Sequence, residues 1–180
     1  DLRPVVYEWK TDKSNIETKF IRGLRVTDKK IIKIIENVLI DFNNDIVIAL
    51  KKKGLEAISI NTKTNNIINV VPEKEELGFV GIPNKINTDI IKGIIDKNQI
   101  PVVAPSGLGK NNDPYNINGD TAAGAIAKSL NARRLLLMTN VEGVLDKEKK
   151  LIAEISSSKI LEMIKNEIIT GGMIPKINTC

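Results

Sequence analysis

The chain has 180 residues, 42% apolar and 27% charged, with a net charge of +5, one cysteine, no histidine and only 3% aromatics. That length suits one compact domain with an aliphatic core. The lone Cys180 excludes an internal disulfide and a cysteine metal cluster, and the lack of histidine removes imidazole acid–base chemistry and most zinc sites. Lys or Asn interrupts every apolar stretch before it could span a membrane, and the lysines are scattered among acids without stacking aromatics, which argues against a nucleic-acid face. The charge fits a solvated surface and an anionic small substrate equally well.

In chain order, Leu2 to Val6 reads as a strand start and Glu8 to Ser14 as polar and aperiodic. Thr27 or Asp28 is a natural N-cap for a helix over Lys29 to Lys53, with Ile31, Ile34, Ile35, Val38 and Leu39 on one face. Phe42-Asn-Asn is predicted to bend or break it, and Lys51-Lys-Lys with Gly54 to end it. Glu56 to Lys63 and Ile67 to Val71 read as a hairpin around Thr64-Asn-Asn, and Leu77 to Ile82 as another strand. Asn84 to Lys97 carries isoleucines at helical spacing.

The most informative stretch is Pro101 to Asp146. Gln99 to Pro105 is a short apolar run, so a buried strand. Leu108 to Asn118 is a polar loop, Asp120 to Asn131 a helix of small residues, and Arg133 to Thr139 a second buried strand. Strand, helix, strand is a βαβ unit and requires a parallel sheet. Loops at the carboxyl ends of such strands form the rim where α/β folds bind ligands. The helix beginning near Asp120 turns its free N–H groups to that rim, a site for an anion. Gly119, Ala122, Ala123 and Gly124 let it lie close to neighbouring backbone. Asp120 itself reads either as the helix cap or as a counter-charge that holds lysines. Further on, Lys147 to Lys150 is a charged turn, Leu151 to Ile155 a short strand, and Lys159 to Asn166 a helix capped from Ser156 to Ser158. A glycine turn then leads to Lys176 at a helix start. On residue chemistry alone Lys10, Arg25 and Lys176 are solvated cations.

Five motifs stand in one order: Gly23-Leu-Arg-Val-Thr-Asp28, Leu77-Gly-Phe-Val-Gly81, Asn116-Ile-Asn-Gly-Asp-Thr-Ala-Ala, Leu-Leu-Met-Thr-Asn-Val-Glu-Gly-Val-Leu-Asp146 and Gly171-Gly-Met-Ile-Pro-Lys176. Together they resemble the N-acetylglutamate kinases of the amino acid kinase family, from about Asn15 to Cys180. The resemblance implies an α/β fold, a three-layer α-β-α sandwich with a mainly parallel central sheet. It implies that residues 1–180 are a single partial domain truncated at both ends, the acetylglutamate-binding part plus the start of the ATP-binding part. By resemblance Arg25 holds a substrate carboxylate, Asn116 binds the acetylglutamate, and Asn118 lines the same pocket or turns the loop. Lys176 stabilises the transition state, and Asp120 orders the catalytic lysines. Asn140, Val141, Glu142, Gly143, Val144 and Leu145 form one ATP-binding segment, and Ile168, Ile169 and Thr170 a second. ATP would bring Mg2+ with it, since the chain offers no protein cage for the metal, and no Walker-type phosphate loop is present.

The same resemblance implies a homo-oligomer acting on N-acetyl-L-glutamate in arginine biosynthesis, with no nucleic acid or membrane partner. It leaves open a nitrogen-regulatory partner, and a cytoplasmic location or, for an organelle-encoded chain, the plastid stroma. Three departures stand out. Tyr7-Glu-Trp-Lys-Thr-Asp-Lys-Ser14 replaces the family's His-Gly-Gly-Gly loop, whose glycines let backbone N–H groups reach the phosphoryl. The family's first lysine-glycine strand has no counterpart, and Asn140 stands where the family has Asp. The alternative they support is a catalytically impaired homologue acting as a ligand-binding or regulatory subunit. A sibling kinase acting on another amino acid is a third reading, and the Arg25 motif argues against it.

Overall fold

The structure is a computed structural model that describes residues 19–21, 24–138, 142–169 and 173–179. The strand expected over Leu2 to Val6, the Tyr7–Ser14 segment and the glycine turn at 171–172 lie outside them. Two short strands, β1 (Phe20–Ile21) and β2 (Leu24–Arg25), pair antiparallel and lead into the long helix α1 (Lys29–Lys52). Asp28 is its N-cap: Oδ1 accepts from the Lys30 and Ile31 N–H groups at 2.7 and 2.8 Å. Lys51 and Lys52 in the last turn complement the carbonyl end of the helix.

The expected break at Phe42-Asn-Asn does not occur. Asn43 is buried, donates to the Val102 carbonyl at 2.8 Å and accepts from the Ser59 hydroxyl. A residue that favours turns is kept in the helix because its side chain is satisfied across the sheet instead of by its own backbone. Asn43 thereby fixes α1 over two strands, β3 (Ala57–Ile60) and β6 (Ile100–Val103), which pair in parallel.

The expected hairpin at Thr64-Asn-Asn is also corrected. The turn forms, with Asn61 Oδ1 accepting from the Lys63 and Thr64 N–H groups. The chain then leaves β3 for a different sheet, since β4 (Ile68–Pro72) pairs antiparallel with β5 (Gly81–Ile86). β4 also meets β7 (Ser106–Leu108) in parallel, and β7 pairs antiparallel with β8 (Pro114–Asn116), for the order β5-β4-β7-β8. β5 carries Pro83 and lies at the edge, where a missing N–H is tolerated. It runs to Ile86, so the next helix, α2 (Thr88–Ile95), starts later than its isoleucine spacing suggests and is capped by Asn87. The loop read over Leu108 to Asn118 conceals the β7–β8 hairpin.

α3 (Gly119–Ser129) follows β6 through that hairpin, as expected. Its continuation departs from expectation: residues 133–138 form no strand, and Leu136 and Met138 are 79% and 87% exposed. An apolar run becomes a strand only beside another strand, and none of the described residues lies there to pair with it. Leu151 to Ile155 reduces to one bridge between Leu145 and Leu151. Two helices close the chain, α4 (Ser157–Lys165), capped by Ser156, and α5 (Met173–Thr179).

Three apolar clusters hold these elements. Ile60, Ile67, Ile68, Val70, Ile91, Ile94, Ile117 and Ala122 pack around the four-stranded sheet. Ile31, Ile32, Ile35 and Leu39 of α1 pack with Ala104 and Phe79. Met163, Ile169 and Ile177 form a separate cluster at the carboxyl end.

Candidate functional site

The site is built from the chain segments that backbone bonding joins side by side. Thr27 is fully buried; its N–H donates to Leu77 O at 3.0 Å, its hydroxyl to Arg25 O at 3.0 Å, and its own carbonyl accepts from Phe79 N at 2.7 Å. The Arg25 motif is thus clamped to Leu77-Gly-Phe-Val-Gly81. The clamp requires glycine at position 78: its φ is +66°, and a Cβ there would stand 2.4 Å from Thr27 O. The next link runs from Asn116 N to Phe79 O at 2.9 Å, beside a parallel bridge between Val80 and Asn116. Arg25 and Asn116, 91 residues apart in the numbering of the chain, are joined by hydrogen bonds through Thr27 and Phe79.

Asn116 then leads to the start of α3. Asn118, not Asp120, is the cap: its Oδ1 accepts from the Asp120 and Thr121 N–H groups at 3.0 and 3.1 Å. Capping as the bland role of Asp120 is corrected by this geometry. Two positions into the helix, its carboxylate is left to meet Lys176 of α5, whose Nζ lies 3.0 and 3.2 Å from the two carboxylate oxygens. The side chains are 15% and 13% exposed. A pair this far out of water keeps its geometry better than a surface pair would. Lys176 is therefore not the solvated lysine that residue chemistry alone suggests.

The small residues of α3 divide between two jobs. Gly119, Ala122 and Ala123 line an apolar cavity of about 260 Å³ with Leu39, Phe42 and Val103. Gly124 makes the expected close approach, against Thr179 of α5.

Of the expected nucleotide residues, Asn140, Val141 and Thr170 lie outside the described residues. Three of the others are drawn together by the carboxyl-end cluster. Val144, Ile168 and Ile169 pack with Ile177, the neighbour of Lys176. Ile169 is 3% exposed, so its side chain belongs to the core and only its backbone could meet a nucleotide. Glu142 is exposed, Gly143 lies against Leu151, and Leu145 pairs with Leu151. Sequence reasoning took Thr27 for a candidate cap and Asn43 for a helix breaker, and did not single out Ser106. Ser106 lies opposite Asn116 across β7–β8, and its buried hydroxyl has no hydrogen-bond partner among the described residues. Nothing in a single sequence marks such a residue, because its neighbours come from other strands. Among the described residues no group of three or more His, Cys, Asp or Glu side chains could hold a metal ion.

The sequence model of the amino acid kinase family matches residues 3–180. The chain belongs to the amino acid kinase family. It is 56% identical over 166 residues to the acetylglutamate kinase of Pelagibacter ubique (strain HTCC1062), and 41% identical over 174 residues to that of Petrotoga mobilis (strain DSM 10674 / SJ95). Each match covers 92% of this chain and 58% of the relative, so the chain spans under two thirds of the length of these curated relatives. The crystal structure of smu.665 from Streptococcus mutans UA159 superposes with a TM-score of 0.91 at 31% identity, covering 97% of this chain and 72% of that one. N-acetylglutamate synthase from Neisseria gonorrhoeae, complexed with coenzyme A and N-acetyl-glutamate, shares the fold with a TM-score of 0.83 at 18% identity, over 99% of this chain and 41% of the synthase. The α/β class with parallel pairing and flanking helices, expected from the five motifs, is the class observed.

Proposed function

We propose that this chain carries the acid-binding part and one phosphoryl-stabilising lysine of an ATP-dependent kinase that phosphorylates the side-chain carboxylate of N-acetyl-L-glutamate. The observation that carries the reading is the Lys176–Asp120 pair at the start of α3, joined through Asn116 to the Arg25 clamp. The names of the relatives support the same substrate. In this reading the Arg25 guanidinium grips the α-carboxylate, for which its planar fork is suited. Asn116 offers an amide to the rest of the acid. The side-chain carboxylate is already ionised at neutral pH and needs no base. One of its oxygens attacks the γ-phosphorus of ATP, the bond from that phosphorus to the β,γ-bridging oxygen breaks, and ADP leaves with the electron pair.

Lys176 neutralises charge that grows on the transferred group and the leaving oxygen, and Asp120 keeps the ammonium aimed. Mg2+ would come with ATP and would neutralise phosphate charge, with no residue of this chain assigned to hold it. In the same reading Val144, Ile168 and the backbone of Ile169 would border the nucleotide. The ion pair favours this reading over a catalytically impaired homologue. The reading extends to a homo-oligomeric cytoplasmic enzyme; among the described residues no helix is long and apolar enough to cross a membrane.

The test uses the full protein with ATP, Mg2+ and hydroxylamine, which traps an acyl phosphate as its hydroxamate. Hydroxamate and ADP formed together with N-acetyl-L-glutamate, and not with glutamate or aspartate, are the expected result. ADP without hydroxamate, or no preference among the acids, contradicts the proposal.

A further inference from the structure

The Lys176–Asp120 pair is one of the contacts that tie α3 to α5, and the approach of Gly124 to Thr179 is another. Asp120 and Gly124 are four residues apart on α3, and Lys176 and Thr179 three apart on α5, so each couple lies on one helix face. The contacts advance together: Asp120 meets Lys176, and about one turn further along both helices Gly124 meets Thr179. At the second contact there is no room to spare. A Cβ built on Gly124 would lie 2.3 Å from Thr179 Cγ2 and 3.2 Å from Thr179 O. Thr179 cannot yield far, because a β-branched side chain in a helix is confined to few rotamers and its carbonyl belongs to the backbone.

We infer that Gly124 is a positioning residue for phosphoryl transfer: its missing side chain sets the approach of α5 to α3 and so the reach of Lys176. The inference rests on the proposed role of Lys176. Restoring ordinary van der Waals distance to a Cβ at position 124 moves Thr179 away by about 1 Å or more. The ammonium of Lys176, one turn back on the same short helix, moves with it and loses the geometry it has at Asp120. A displacement of about 1 Å at a group that acts in the transition state costs on the order of 100-fold in rate. Arg25 and Asn116 are fixed by the Thr27, Phe79 and β8 bonds, none of which touches α5, so binding of the acid is left alone.

The experiment is a double-mutant cycle on the full protein, reading kcat and both KM values. Gly124→Ala lowers kcat about 10- to 100-fold with KM for the acid within about twofold. Thr179→Ala alone stays within about twofold of the parent, and the double variant, which removes the blocking Cγ2, recovers to within about threefold of it. Alanine is the better helix former, so slow turnover by Gly124→Ala at an unchanged or raised Tm separates positioning from unfolding. Parent-like kcat in Gly124→Ala, or a double variant as slow as the single, overturns the inference. Lys176→Met in the same series isolates the premise. If that variant keeps parent turnover, the role of Lys176 fails; if it is inactive while Gly124→Ala is unaffected, only the positioning role fails.

Discussion

Residues 24–132 and residues 142–179 are held together in different ways. In the first region distant motifs are joined backbone to backbone: Arg25 to Asn116 by way of Thr27 and Phe79, and α1 to the β3–β6 pair through Asn43. The second region is organised around its own cluster of Met163, Ile169 and Ile177, and it meets the first where α5 packs on α3. That junction includes the Lys176–Asp120 ion pair and the close approach of Gly124 to Thr179. The half of the site that would grip the acid is therefore rigid, and the half that would serve the phosphoryl group rests on a contact that single substitutions can shift.

The largest test of this difference is Lys176→Met. Losing one donor from a preorganised charge-stabilising site lowers kcat by about 100- to 1,000-fold. KM for N-acetyl-L-glutamate should remain within about twofold, in a coupled ADP-release assay. A matching rise in KM would show that the two halves are not separable. Gly78→Ala strikes the rigid half instead. It forces a side chain into left-handed backbone and onto Thr27 O, so denaturant unfolding should show a loss of about 2 kcal/mol or more. An unchanged midpoint would mean that the Thr27–Gly78 clamp does not hold the Arg25 motif.

Asn43→Ala probes the same rigidity further from the site. The buried amide contributes bonds to Val102 O and the Ser59 hydroxyl, and removing it leaves both to find new partners. A stability loss of about 1–3 kcal/mol is expected by chemical denaturation. Ser106→Ala is the smallest change and has the opposite sign. It removes a buried hydroxyl that has no partner among the described residues, so stability should rise by up to about 1 kcal/mol.

The same contrast marks how far the chain could be read before its fold was known. Local signals were reliable where the physics is local. Asp28 and Ser156 cap their helices, Ile31, Ile35, Val38 and Leu39 form a buried face of α1, and Gln99 to Pro105 contains a parallel strand. Signals that depend on distant partners misled. Asn43 looks like a helix breaker until Ser59 and Val102 are placed beside it. Thr64-Asn-Asn makes its turn, but its two strands join different sheets. Leu135 to Met138 has the composition of a strand with none beside it among the described residues. At the site, the motifs named Arg25, Asn116, Asp120 and Lys176, while the cap role went to Asn118, because a shift of two positions decides which side chain reaches the free N–H groups. Gly124 signalled a close approach but not its partner Thr179, and Thr27 read as a candidate cap because its partners Leu77 and Phe79 come from a distant segment.

The most direct measurement is isothermal titration of N-acetyl-L-glutamate and, separately, of ATP with Mg2+ into the parent protein and into Arg25→Ala. Loss of a bidentate carboxylate contact should weaken binding of the acid by about 10-fold or more and leave the nucleotide within about twofold. Equal weakening of both ligands, or of neither, would contradict a division of the site into an acid half at Arg25 and a phosphoryl half at Lys176.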